Sequence, residues 1–134
     1  MTKLINKNDN FSKAVKRLNE ANVAYKKNKE NEFYQDALIQ RFEFSFELAW
    51  KTLREFLTYQ GYSLEILSPK GVIAFAYQEG ILQNESLWLE MLEARNQSSH
   101  DYGRDLAQGI AEEISLRYCK SLTELCQYIT AHLK

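Results

Sequence analysis

The chain has 134 residues, 45% hydrophobic and 26% charged, with a formal net charge of −1 and a pI near 6.1. That length suits a single domain with its own core, and the balance is ordinary for a globular protein. It argues against a general nucleic-acid coat, which would be strongly basic, while leaving room for a local basic site. One proline and five glycines supply too few turns for a sheet protein, so an all-α fold is expected.

Residues 1–7 read as a loose leader, with Asn8 or Asp9 offering a helix cap. Phe11, Ala14, Val15, Leu18 and Tyr25 then recur at helical spacing. The polar run Lys26-Lys27-Asn28-Lys29-Glu30-Asn31 reads as a loop. A long second helix spans about Glu32 to Gln60 and stops at Gly61. Its seam Phe42, Phe46, Ala49, Leu53 and Phe56 steps 4-3-4-3, with Phe44, Leu48 and Trp50 outside. So broad an apolar surface predicts a central helix, or one shared between a core and a partner. Glu43, Glu47 and Lys51 form an i, i+4 charge series, flanked by Arg41 and Arg54.

Ser68-Pro69 reads as cap and first turn of a third helix ending near Gly80. Asn84 caps a fourth, carrying Leu87, Trp88, Met91, Leu92 and Arg95. A fifth begins near Asp105, with Gln108 as a capping-box partner, and continues through Leu106, Ile110, Ile114, Leu122, Leu125, Ile129 and Leu133. Cys119 and Cys126 lie seven apart, which matches no CxxC motif; they read as small buried residues in a reducing compartment. No stretch approaches the roughly 20 apolar residues that span a bilayer, and no signal-like segment opens the chain, so a cytoplasmic protein without membrane contact is expected.

The chemistry concentrates in Arg95-Asn96-Gln97-Ser98-Ser99-His100-Asp101-Tyr102. An imidazole moves protons near neutral pH, a guanidinium grips phosphate through two bonds, and a phenol can accept a transferred group. Five residues of unbroken helix would set Arg95 and His100 about 140° apart around the axis. A break near Ser98, or two copies meeting across a twofold axis, would bring them to one phosphate. Trp88, Met91 and Arg95 share one stripe, which reads either as core or, because these residue types are enriched in interfaces, as a self-association face.

The blocks Gln40-Arg41-Phe42-Glu43-Phe44-Ser45-Phe46-Glu47-Leu48-Ala49-Trp50-Lys51 and Leu87-Trp88-Leu89-Glu90-Met91-Leu92-Glu93-Ala94-Arg95-Asn96, followed by His100-Asp101-Tyr102, resemble the nucleotidyltransferase substrate-binding protein family of the HEPN superfamily. The similarity runs from about Phe11 to Leu133. It implies one domain over residues 1–134, an antiparallel bundle of about five helices around an up-and-down four-helix core, and a homodimer. It also implies a minimal nucleotidyltransferase encoded nearby as partner. In related two-component systems the HEPN protein is an RNase toxin, and the nucleotidyltransferase silences it by adenylylating a tyrosine in Arg-x4-His-x-Tyr. By that resemblance Arg95, Asn96 and His100 are catalytic toward RNA, Tyr102 is the modified acceptor, and neither metal nor cofactor is required. Glu47 and Lys51 are candidates for the partner-facing surface. The alternative is a binding-only subunit that docks on the nucleotidyltransferase and presents another acceptor.

Overall fold

The computed structural model describes residues 1–63, 68–98 and 103–133. Every element among them is helical: α1 (Thr2–Lys27), α2 (Glu32–Tyr59), α3 (Pro69–Gln78), α4 (Glu85–Ser98), α5 (Arg104–Glu113) and α6 (Cys119–His132). A π-helical segment, Ile114–Tyr118, joins α5 to α6 without a break, so five rods form the bundle.

The long rods run up and down, and side-chain bonds record their registers. Arg41, Ser45 and Thr52 of α2 donate to the carbonyls of Arg17 (2.8 Å), Ala14 (3.2 Å) and Lys7 (3.5 Å) of α1. As the α2 number rises the α1 number falls, so the pair is antiparallel. Asn8, Ser12 and Asn19 of α1 meet Thr130 (2.9 Å), Cys126 (3.1 Å) and Thr123 (3.1 Å) of α6 in the same sense. Both ladders place hydrogen-bonding groups where an all-apolar seam would slide, which fixes register at modest energetic gain.

α2 touches every other helix. Phe42, Phe46, Ala49, Leu53 and Phe56 are all buried, as their spacing predicts. Phe46 lies 6.1 Å from the Trp88 ring of α4, and Phe42 stacks on Tyr118 at 5.3 Å. Trp50, expected outside the seam, is buried too, with the Arg54 guanidinium 4.9 Å over its ring. Phe44 does lie outside, 60% exposed.

Several expectations are corrected. Residues 1–7 are no leader: α1 opens at Thr2, and Leu4 is fully packed into the core. Asn8 is therefore mid-helix and buried, its amide spent on Thr130 rather than on a cap. The loop shrinks to four residues because α1 continues through Lys27; its helical hydrogen bonds outweigh the polar composition. α5 is capped by Gly103, without a side-chain bond, so Asp105 and Gln108 form no capping box. Leu106 is 41% exposed because it sits in the first turn of α5, facing a cleft toward α4 instead of the core. The caps at Ser68 and Asn84 do form, accepting from Gly71 N–H (3.2 Å) and Leu87 N–H (3.1 Å). Gly61 and Gly80 take the positive φ values, 100° and 77°, that end α2 and α3.

The π segment has a sequence reason. Ile110, Ile114, Tyr118 and Leu122 are buried at four-residue steps, and each such step drifts about 40° on a 3.6-residue helix. Widening one turn, with Cys119 N–H donating to Ile114 O five residues back, restores the buried face. Asn22 of α1 donates to the Ser115 carbonyl inside this turn at 3.5 Å.

Both cysteines are free and buried, and burial pushes the Cys119 thiol up to about 12. Among the described residues no helix is long and apolar enough to cross a membrane.

Phe46→Ala is expected to cost about 3–5 kcal/mol, read by chemical denaturation, since its fully buried ring meets both Phe42 and Trp88. Burial and the adjacent Glu112 carboxylate push the Tyr25 phenol from 10.0 up to about 12. A phenol held protonated by the fold contributes fully below pH ~10 and loses that contribution as pH rises toward its folded value. Tyr25→Phe should therefore flatten the fall of stability between about pH 10 and 12 in a denaturation series.

Candidate functional site

The inner face of α4, Trp88, Met91 and Ala94, packs into the core. Trp88 and Met91 are 4% and 0% exposed, so their part of the stripe is core and not a self-association face: α2 covers it within the same chain. Arg95 continues the stripe one turn on, where the core ends. Its stem is held by the helix and its guanidinium reaches the rim, the side chain 34% exposed.

The rim is built by α2. Glu47 Oε2 lies 3.4 Å from Arg95 Nη2, and Glu47 Oε1 lies 3.4 Å from Lys51 Nζ, so one carboxylate bridges two cations. One turn earlier, Glu43 Oε2 accepts from the buried Ser98 hydroxyl at 2.8 Å. The same hydroxyl lies 3.1 Å from the Arg95 carbonyl, but it has one proton, and the charged acceptor at shorter range takes it. Glu43 and Glu47 sit on one face of α2, while Arg95 and Ser98 sit on one face of α4. Two consecutive turns of each helix are thus joined across the gap. Arg54 and Trp50 stack beside them.

Two distances in this group carry meaning. An ion pair at 3.4 Å is longer than the roughly 2.7–2.9 Å of a charge-assisted hydrogen bond, so Glu47 attracts Arg95 without locking it in a two-bond fork. Among the described residues Arg95 Nε is buried with no hydrogen-bond partner, and Nη2 is the nitrogen that faces Glu47. Arg95, Lys51 and Arg54 carry three positive charges against the two negative charges of Glu43 and Glu47, so the rim has a net charge of +1.

Asn96 is exposed, about 100° further round the helix from Arg95. His100, Tyr102, Ser99 and Asp101 lie outside the described residues. The chain is not one helix from α4 to α5: Gly103 is extended, with φ −75° and ψ 165°. A break in the helix thus immediately precedes α5, and the rest of the expected junction lies outside the described residues.

The opposite side of α4 has the other sign. A cleft of 410 Å³ between α4 and α5 is lined by Glu90, Glu93, Asp105 and Glu113. Arg117 bonds both Glu90 and Glu113, which raises its pKa, Glu113 foremost. Tyr118 OH donates to Glu90 at 2.6 Å, and burial and that carboxylate push its phenol well above the usual range. A polyanion would approach α4 from the α2 side. Among the described residues no group of three His, Cys, Asp or Glu side chains is placed to hold a metal ion.

Glu43 and Ser98 went unassigned in the sequence. The i, i+4 series announced a charged edge on α2, but which residue that edge faces depends on how α4 crosses it.

The family model described as "Nucleotidyltransferase substrate binding protein like" matches residues 6–131. No curated protein matches the sequence. Among solved structures, a Thermus thermophilus protein is 31% identical, over 92% of this chain and 98% of that one, with a TM-score of 0.71. A tri-AMPylated Shewanella oneidensis HEPN toxin, solved in complex with MNT antitoxin, is 18% identical over 96% of both chains, with a TM-score of 0.76. The toxin–antitoxin MntA–HpeT gives 18% identity over 96% of this chain and 97% of that one, also with a TM-score of 0.76. At that identity the last two establish the fold, a HEPN helical bundle.

Proposed function

This chain belongs to the nucleotidyltransferase substrate-binding protein-like family, and we propose that it is the HEPN partner of a minimal nucleotidyltransferase in a toxin–antitoxin-like pair. Within that pair it acts as a metal-independent RNase, and adenylylation of Tyr102 silences it. The observation that carries the reading is Arg95 at the cationic rim near the end of α4; the rest of Arg-x4-His-x-Tyr follows it in sequence, outside the described residues. The Shewanella complex, a modified HEPN toxin with its antitoxin, supports the partner class.

In the cleavage step the RNA 2′-hydroxyl attacks the adjacent phosphorus, and the bond to the 5′-oxygen breaks. His100 takes the proton from the attacking hydroxyl or gives one to the leaving oxygen, and water carries the other proton. Arg95 neutralises charge on the pentavalent phosphate, and Asn96 orients it. In the silencing step the Tyr102 oxygen attacks the α-phosphorus of ATP and pyrophosphate leaves. The phenol proton passes to a base of the partner enzyme. The added AMP places bulk and negative charge beside the cations that RNA requires. The working unit is a homodimer, in the cytoplasm.

A second reading has one observation in its favour: the family is described as substrate-binding rather than as a nuclease. The chain then docks on the nucleotidyltransferase and presents another acceptor to it.

Purified wild-type protein is expected to cleave single-stranded RNA in EDTA. Arg95→Ala and His100→Ala should each slow it by about 10²–10⁴-fold while keeping the wild-type helical spectrum. RNA left intact by wild type and variants alike would favour the binding-only reading. Incubation with the neighbouring nucleotidyltransferase, ATP and magnesium should add AMP to the wild type and not to Tyr102→Phe, read by intact mass and peptide mapping. AMP on any other residue would refute the switch.

A further inference from the structure

We infer that Glu43 and Glu47 are positioning residues for Arg95 and the last turn of α4, and that Lys51 sets how much of Glu47's charge reaches Arg95. The inference rests on the nuclease reading above and gives roles to three residues outside Arg-x4-His-x-Tyr.

Both carboxylates come from one face of α2, one turn apart, and each takes a different part of the last turn of α4. Glu43 ties down Ser98, the last described residue before the junction, through a 2.8 Å bond to a buried hydroxyl. That bond ties the last turn of α4 to α2. Glu47 restrains the guanidinium itself. The two contacts therefore hold both ends of one helical turn, and α2 is rigid behind them because Phe42, Phe46 and Ala49 are fully buried.

A carboxylate beside a phosphate-binding arginine carries a cost, because it competes with the substrate. Two features limit that competition. Glu47 meets Arg95 through one oxygen at 3.4 Å, too long for a strong directional bond. Its other oxygen faces Lys51 at the same distance. Splitting the negative charge between two cations leaves Arg95 oriented yet electrostatically available. An incoming phosphate displaces a weak, half-exposed contact instead of breaking a buried salt bridge. Of the elements packed here, α4 supplies Arg95 and α2 supplies Glu43, Glu47, Lys51 and Arg54.

Kinetics on single-stranded RNA separate this role from a structural one. Glu47→Gln is expected to lower kcat about tenfold or more, since small misplacements of a phosphate ligand are costly. KM should stay level or fall, because Arg95 loses a competitor. Glu47→Asp should recover part of kcat. Lys51→Met should raise KM a few-fold, and that effect should vanish in the Glu47→Gln background. If it persists there, Lys51 acts on RNA directly and its assigned role is overturned. Glu43→Gln should lower kcat with little change in KM, while Glu112→Gln, a carboxylate removed elsewhere, should alter neither.

Unchanged kcat and KM in both Glu43→Gln and Glu47→Gln, with Arg95→Ala inactive, would overturn the positioning role while leaving the nuclease reading intact. If Arg95→Ala is also without effect, the nuclease reading itself fails. A double-mutant cycle of Glu47→Gln and Arg95→Gln on melting temperature then still tests the contact. Shifts that fail to add, by about 1–3 °C, are expected; strict additivity would refute it.

Discussion

The burial of the α2 seam is the constraint on which the remaining structure depends. Phe42, Phe46, Ala49, Leu53 and Phe56 are each excluded from solvent, and every other helix rests on some part of α2. A helix wedged on that many sides cannot rotate. Its polar edges are therefore aimed as firmly as its core residues, although single surface charges normally specify little. The Glu43–Glu47–Lys51 edge inherits its direction from phenylalanines on the other side of the same helix.

That inheritance explains why the site is electrostatically divided. α4 presents Arg95 to α2, while its other flank meets α5 across Glu90, Glu93, Asp105 and Glu113. With a formal net charge of only −1, the chain has no global field to attract a polyanion. Separating the signs onto two sides of one helix creates a local field instead.

The polar ladders between rods serve a related purpose. Hydrogen bonds from α2 to α1 carbonyls, and from α1 asparagines to α6 hydroxyls, contribute modest stability but make a one-turn slip expensive. The π turn at Ile114–Tyr118 does comparable work along the axis, keeping Ile110 and Leu122 on one face despite their awkward spacing. Register matters here because the contacts at the α4 rim are single bonds, lost at a displacement of an ångström or two.

Helix positions, the α2 seam, the caps at Ser68 and Asn84 and the stops at Gly61 and Gly80 were all readable from residue order, because each depends on neighbours within a turn or two. The same local logic failed at the first seven residues, where Leu4 is helical because a distant core accepts it. It left two readings open at Trp88 and Met91, whose stripe has interface composition but is covered by α2. Arg95 was singled out by its chemistry and by the resemblance of the motif that contains it. Its partnership with Glu47, and that of Ser98 with Glu43, spans dozens of residues and exists only because α4 crosses α2 at one register. Periodicity shows which face of a helix is charged; what that face meets is set by packing between helices, which no local pattern encodes.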